Sequence, residues 1–396
     1  VQFQTLDDKT ECVGIYYGGE LFFNEELPTE LTHTWSYAGF LQNPNIEYAQ
    51  LYCGGKSLQE VCPEALKPRW ESVKKRYLAF LKSFKTARVS LNENCFYDLV
   101  PKKFLLEWCY IRDLICQHVF ETYERPANYD YLLELTKELE RIKYNRLNIQ
   151  KKNLNFYKAK HRKFAKKLPN FVSYCRFNIS GTRTGRLTTF RDSFPILTLD
   201  KELRSIITPR NDYFVELDFN AAELRTLLAL QGIPQPQEDI HAWNVKNIFK
   251  NRGSRDDAKK RIFAWLYNPE SEDQACEDFY DRGGILRQYY NDGSVKTYFG
   301  KEIESKPRTA LNYIIQSTCA ENVLRQMIKV SNYIKDMKSF VAFPIHDSII
   351  LDFAIEDRDK LNQIIKIFSE TELGTFLTNI SVGKNFGNLK KLEVKS

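Results

Sequence analysis

Histidine is scarce, at five residues in 396, which makes a His-rich metal centre a poor expectation. No uncharged apolar run reaches the roughly eighteen residues a bilayer-crossing helix needs, so no transmembrane helix is expected. The start, VQFQTLDDKTE, places acids where a secretory signal carries its apolar segment, so no signal peptide is expected either. That the chain opens on Val1 rather than Met suggests processing, or excision from a longer product. The nine cysteines are scattered and form no CxxC pair. Their odd number reads as reduced thiols in a cytoplasm-like compartment, not as a disulfide frame or a zinc site. A GxxxxGK[ST] phosphate loop is absent. There is no internal repeat and no low-complexity linker.

What is present describes a soluble globular protein, with 43% hydrophobic and 28% charged residues. A chain of 396 residues exceeds one compact core, so two or three subdomains are expected. The net charge of +7 is unevenly spread. From Arg141 to Lys167 the sequence RIKYNRLNIQKKNLNFYKAKHRKFAKK holds eleven Lys/Arg and no acid. A solvated helix face is the ordinary reading of such a run. Uncompensated positives nevertheless repel one another unless an anion neutralises them, and a nucleic-acid backbone is the usual candidate.

Residues 1–60 read as short β pieces, with CVGIYYGGELFF a hairpin turning at Gly18-Gly19. From about 66 to 167 the pattern is helical: RWESVKKRYLAFLKSF, FLLEWCYIRDLICQHVFETYE, then a long helix after Pro126 and Asn128 that continues into the basic run. Strands follow in FVSYCRFNI, ELRSIIT and FVELDF. A helical middle spans roughly 239–292, with strand potential only in SVKTYFG near its end. Next come the helix RTALNYIIQSTCAENVLRQMIKVSNYI and the strands SFVAFPI and SIILDF. This order predicts a sheet core with a helical lobe inserted into it.

Five places could carry chemistry. FVELDFNAAELR ends an apolar strand on Asp218, where an ionised carboxylate needs a partner or a metal. Asn220 and Glu223 fit an N-x-x-E capping arrangement, which is a sufficient structural reason for Glu223. His346-Asp347 puts a second aspartate at a strand junction. A hairpin turn explains it alone, but two strand-end aspartates in one sheet could hold two divalent ions about 4 Å apart, as phosphoryl transfer requires. In RDDAKKRIFAWLY, Ser254 caps a helix with Asp257 at the third position. Arg255, Lys259, Phe263 and Tyr267 recur every four residues as one stripe, two cations suited to a triphosphate and two rings suited to a sugar and base. An ordinary snorkelling face fits as well. RTALNYIIQ spaces Arg308, Asn312 and Gln316 by one turn each, either to read acceptors in a nucleic-acid groove or as the wet side of an amphipathic helix. SGTRTGRLTTF is a loop, otherwise a polar turn.

Taken together and in order, TRTGRL, DFNAAELR, DIH, RDDAKKRIFAWLY, RTALNYIIQ and HDS resemble a family A DNA polymerase, the group of bacterial repair and many phage replicative polymerases. The resemblance runs from about residue 66 to the C-terminus. It implies an α+β right-hand fold: an N-terminal β-containing region (1–65), thumb and preceding helices (66–170), palm (171–238 and 306–396) and helical fingers (239–305). By the same resemblance, Asp218, Asp347 and the Phe219 carbonyl would bind two Mg²⁺. Arg255, Lys259 and His241 would hold the incoming triphosphate, with Lys259 protonating pyrophosphate. Phe263 would pack on the sugar, and Tyr267 would occupy the place of the templating base. Glu223 would exclude a ribose 2′-hydroxyl. Arg186, Arg308, Asn312, Gln316 and His346 would contact the primer–template. Phe263, where some members carry Tyr, implies poor use of dideoxynucleotides. The implied partners are DNA primer–template and dNTPs, with no membrane, in a bacterial or phage-infected cytoplasm.

The sequence departs from the family pattern at Ser348, where Glu is usual, at Asn268 after Tyr267, at Ala221 and Ala222, and in trimmed fingers. The N-terminal region offers only Asp7, Asp8 and Glu11, in the wrong spacing for a proofreading nuclease. It therefore reads as a remnant or replacement of that domain. Two other functions compete: a single-subunit RNA polymerase, which shares His-Asp-Ser, and a non-catalytic nucleic-acid-binding relic.

Overall fold

The computed structural model describes residues 1–24, 26–150 and 173–392. Most of the basic run, from Lys151 onward, lies outside the described residues, as does the start of the predicted strand at Phe171. The chain divides into two compact units, Val1–Glu140 and Arg141–Ser396. Among the described residues no helix is long and apolar enough to cross a membrane.

In the first unit, strands β1 (Gln4–Thr5), β2 (Gly14–Tyr17) and β3 (Glu20–Phe23) form a three-stranded antiparallel sheet. The expected hairpin forms because Gly18 and Gly19 both take positive φ, 60° and 90°, the backbone that a two-residue turn between right-twisted strands demands. Helices α1 (Lys67–Ala87) and α2 (Lys102–Thr122) share a core with this sheet. Leu6, Tyr16, Trp70, Val73, Trp108 and Ile111 are all buried in it. Tyr77 stacks on Trp108 at 4.4 Å, and Trp70 stacks on it from 5.5 Å. Residues 1–65 therefore lie in the same compact unit as α1 and α2.

The cysteines are not all reduced thiols. Cys12 and Cys95 form a disulfide across 83 residues, their Cα atoms 5.6 Å apart. The other seven cysteines are free and buried. Spacing gave no hint of the bridge, because the sheet brings its partners together through tertiary packing.

Helix α3 (Tyr129–Tyr144) starts after Asn128 as expected and enters the basic run only as far as Tyr144. Asn148–Ile149 instead pairs antiparallel with Ile207–Thr208. The segment ELRSIIT is likewise mostly a 3-10 turn, Lys201–Ile206, and only its last residues are extended.

The second unit is built on a five-stranded antiparallel sheet. Its order is β5 (Phe340–Ile345), β6 (Ser348–Phe353), β4 (Tyr213–Phe219), β7 (Thr378–Gly383), β8 (Lys390–Lys391). Along β4, Val215, Leu217 and Phe219 are buried while Glu216 and Asp218 are half-buried, the alternation of a strand with one packed face. Phe219 stacks on Phe368 at 4.4 Å. A second core joins helices α4 (Ala222–Leu230), α5 (Ile240–Asn247), α6 (Arg255–Tyr267) and the N-terminal half of α7 (Pro307–Ile334). Helices therefore fill 240–289, and the short strand Ser294–Lys296 ends that stretch, as the pattern predicted.

Candidate active site

The register of β4 against β6 decides where the two aspartates meet. Asp218 lies opposite Ser348, so Asp347 stands beside the strand end, and the Phe219 amide donates to the Asp347 carbonyl at 3.5 Å. His346-Asp347 is the two-residue link of the β5–β6 hairpin, with His346 in the left-handed region at φ 51°. His346 is exposed and Asp347 half-buried. Both aspartates therefore stand at the same end of the central β4–β6 pair, along the edge of the sheet formed by its strand ends.

The electrostatics of this edge are unfavourable for bare anions. Burial, with the Glu216 and Asp347 charges added, pushes the Asp218 carboxyl up to about 6, against a single opposing hydrogen bond from Asn379. That bond, from Asn379 Nδ2 to Asp218 Oδ2, is 3.3 Å long. Burial also raises Asp347, while Arg186 and His346 pull it down. Cys319 Sγ approaches Asp347 Oδ1 at 3.9 Å.

Glu223 is next in line and is buried. Arg186 Nη2 donates to its Oε1 at 2.5 Å, and the Tyr267 hydroxyl donates to its Oε2. Burial raises the Glu223 carboxyl against the pull of Arg186. The loop TRTGRL delivers Arg186 through Gly185, whose φ of +77° is the left-handed turn that glycine permits. The capping role expected for Asn220 is not observed. Ala221, at φ 49°, is the residue that precedes α4, and it offers no side-chain cap. The Asn220 side-chain oxygen instead accepts from Arg225 and from the Ile240 amide, both at 3.2 Å. Arg225 is fully buried and needs those acceptors, together with the Pro236 and Glu238 carbonyls.

Helix α6 supplies the stripe. Ser254 and Asp257 form the predicted capping box. Phe263 and Tyr267 stack at 5.8 Å with planes 5° apart, and His241 lies 5.9 Å from Phe263. Arg255 reaches Asp239 through two hydrogen bonds of 3.0 and 2.9 Å. Lys259 is exposed, with no ion-pair partner among the described residues. His241 is 4% exposed and its Nδ1 has no partner. Burial lowers its pKa, against the pull of Asp239 and helped by the Arg255 and Lys259 charges.

An unbroken line of contacts therefore joins Arg186, Glu223, Tyr267, Phe263 and His241. The three polar residues on α7 are not tied into it by hydrogen bonds. Arg308 is exposed and faces Glu270 at 3.6 Å, Asn312 Oδ1 is buried without a partner, and Gln316 is half-buried. Asp239 was overlooked. It accepts from the His241 and Ala242 amides at the start of α5 while clamping Arg255. An aspartate immediately before a helix is a capping signal that the sequence displayed. Asn379 and Cys319 carried no comparable signal, since only the sheet register and the packing of α7 bring them to Asp218 and Asp347.

The donor chemistry at Asp218 and Asp347 suits a hard divalent cation. Two carboxylates repelling each other in a half-buried site, with few other protein ligands, match an ion that keeps several waters and shares substrate phosphates. Among the described residues no cluster of three or more His, Cys, Asp or Glu exists that would form an all-protein cage.

No family model matches the chain. DNA polymerase I of Borreliella burgdorferi is 24% identical over 264 residues, 52% of this chain. The chain spans only 29% of that relative's length. Among solved structures, the polymerase domain of Pol1 from M. smegmatis, in complex with DNA primer-template and dNTP, superimposes with a TM-score of 0.56. That match is 14% identical and covers 72% of this chain and 76% of the other. The chain has a polymerase-domain fold. Within that class, the fold is similar to that of the Pol1 polymerase domain, in keeping with the motif order.

Proposed function

We propose that this chain is a template-directed DNA polymerase of the family A type, adding deoxynucleotides to a primer 3′-hydroxyl with release of pyrophosphate. One observation supports the reading: Asp218 and Asp347 stand at the same end of the β4–β6 pair, where the Asp347 charge acts on Asp218, and helix α6 carries Arg255, Lys259, Phe263 and Tyr267. The palm comprises 171–238 and 306–396, the fingers 239–305, and the thumb with its preceding helices 66–170.

When bound, two Mg²⁺ supply the charge that lets the 3′-oxygen attack and the leaving phosphates depart. Asp218, Asp347 and the Phe219 carbonyl would hold them. Lys259 and Arg255 orient the triphosphate, with Arg255 preset by Asp239. The primer 3′-hydroxyl gives its proton to water as its oxygen forms the new bond to the α-phosphorus, the bond to the bridging oxygen breaks, and Lys259 delivers a proton to the departing pyrophosphate and regains one from solvent. His241 donates a ring N–H to the phosphates. Phe263 packs on the sugar. Tyr267, stacked and tied to Glu223, fills the place of the templating base until that base enters. Glu223 meets a 2′-hydroxyl where a deoxyribose has none. Arg186, Arg308, Asn312, Gln316 and His346 face the primer–template, Asn312 with an acceptor still unsatisfied. Ser348 is buried and its Oγ donates to the Ile345 carbonyl at 3.0 Å, so in place of a carboxylate it closes the hairpin.

The setting proposed for this reaction is the cytoplasm of a bacterial or phage-infected cell. Primer extension is the test. Extension with Mg²⁺ and dNTPs, lost with EDTA, is expected. Efficient extension with rNTPs alone would move the assignment to an RNA polymerase, and DNA binding without extension would mark a relic.

A further inference from the structure

Helix α1 separates two chemistries onto opposite sides. Trp70 and Val73 are buried, and Tyr77, Phe80 and Phe84 pack against the same core. Lys75 and Lys82 follow Val73 and Phe80 by two positions, about 200° around the helix, so they point away from that core. Both are exposed, as are Lys85 and Arg88.

The distribution of charge is what sets this face apart. Residues 67–88 hold eight Lys/Arg and one Glu, whereas the rest of 1–140 holds seven Lys/Arg and twenty Asp/Glu. A face that only keeps a protein solvated mixes the two signs. Here a strongly acidic unit gathers its positive charge on one helix. Lys67, Lys74 and Arg76 have acid partners, Glu64, Glu71 and Glu107. Lys75, Lys82, Lys85 and Arg88 have no ion-pair partner among the described residues. Complementing the helix dipole accounts for Lys85 and Arg88 at the C-terminal end, but Lys75 lies in mid-helix. From residue 75 to 88 the helix rises about 20 Å, the axial length of about six phosphates on one strand. Leu78, 52% exposed, sits between Lys75 and Lys82 as an apolar spot for a sugar or base edge.

We infer that the outer face of α1, centred on Lys75, Lys82 and Lys85, is a second nucleic-acid-binding surface, gripping a strand by its phosphates without reading sequence. The inference goes beyond the polymerase reading and does not require it, because it concerns binding by the first unit.

The test uses the full chain and a labelled twenty-nucleotide mixed-sequence single strand, without Mg²⁺ or dNTPs, titrated across a range of NaCl concentrations. The triple variant Lys75→Gln, Lys82→Gln, Lys85→Gln should bind about tenfold more weakly, and the slope of log Kd on log salt should become shallower by about 2. A comparison triple, Lys338→Gln, Lys360→Gln, Lys366→Gln, removes three exposed cations that already have acid neighbours and should keep the parent slope. Parent-like affinity and slope in the α1 variant would overturn the inference. So would equal losses in both triples, which would mean a general charge effect. Should the triple fold poorly by circular dichroism, Lys82→Gln alone, with a slope change of about 0.7, carries the test. Primer extension on a saturating hairpin template is read separately, so a chain that binds through α1 yet fails to extend would sink only the polymerase assignment.

Discussion

Each unit of the chain withdraws an aspartate side chain from solvent, Asp7 almost wholly and Asp218 in part, and their different surroundings separate structure from chemistry. In the first unit, Asp7 is 4% exposed and meets Lys9, itself 2% exposed, at 2.6 Å. Asp7 also accepts from the Phe96 amide at 2.7 Å, and Lys9 donates to the Leu91 carbonyl at 3.0 Å. The charges cancel and the lone pairs are used. In the second unit, Asp218 has one amide donor and two carboxylates for neighbours. A buried acid with a cation beside it is packing. One surrounded by other acids leaves room for a positive charge that the chain itself does not supply.

The largest way to break this contrast is Asp347→Ala. Nucleotide addition should fall below detection in a primer-extension assay while primer–template affinity stays near that of the parent. A loss of binding equal to the loss of activity would refute the metal role. Asp7→Ala should do the opposite. By stranding a buried lysine it should cost about 3–5 kcal/mol in denaturant unfolding, with extension by the folded fraction unchanged. Glu223→Ala should raise ribonucleotide incorporation about tenfold or more, since losing the close approach of a carboxylate is worth more than about 1.4 kcal/mol. Unaltered sugar discrimination would leave Glu223 as a tether for Tyr267 and Arg186 only.

The smallest effect is on stability. Because the folded Asp218 carboxyl is raised to about 6 from 3.8, the native state holds its proton more tightly than the unfolded chain. Its ionisation therefore destabilises the fold as pH rises from about 4 to 6, and the penalty is complete above that window. In metal-free buffer at pH 8, Asp218→Asn should stabilise the chain by roughly 1–2 kcal/mol, allowing for partial solvent screening. The gain should vanish at pH 4. An equal gain at both pH values would point to packing instead of charge.

How much of this could be read from residues alone followed from how local each determinant is. The Gly18-Gly19 hairpin, helices α1, α2 and α6, the Ser254 cap and the strand-end aspartates all depend on neighbours within a turn or a strand. They were legible. Asn220 looked like a cap by spacing, but a buried arginine five residues on competes for its oxygen, and burial is invisible in a pattern. The Cys12–Cys95 bridge and the Asn379–Asp218 contact join positions 83 and 161 residues apart, so only the folded chain displays them. The ELRSIIT segment has the β-branched residues of a strand, and 3-10 geometry prevailed over that propensity.

The link between β5 and β6 is only two residues long, and one of them is Asp347. Nothing in so short a connector can slide or flex to reposition the carboxylate. An inserted or deleted residue there would shift the hairpin by one place and send the acid to the opposite side of the sheet. This corner therefore admits no change in length, and the left-handed φ of 51° at His346 restricts what can replace it.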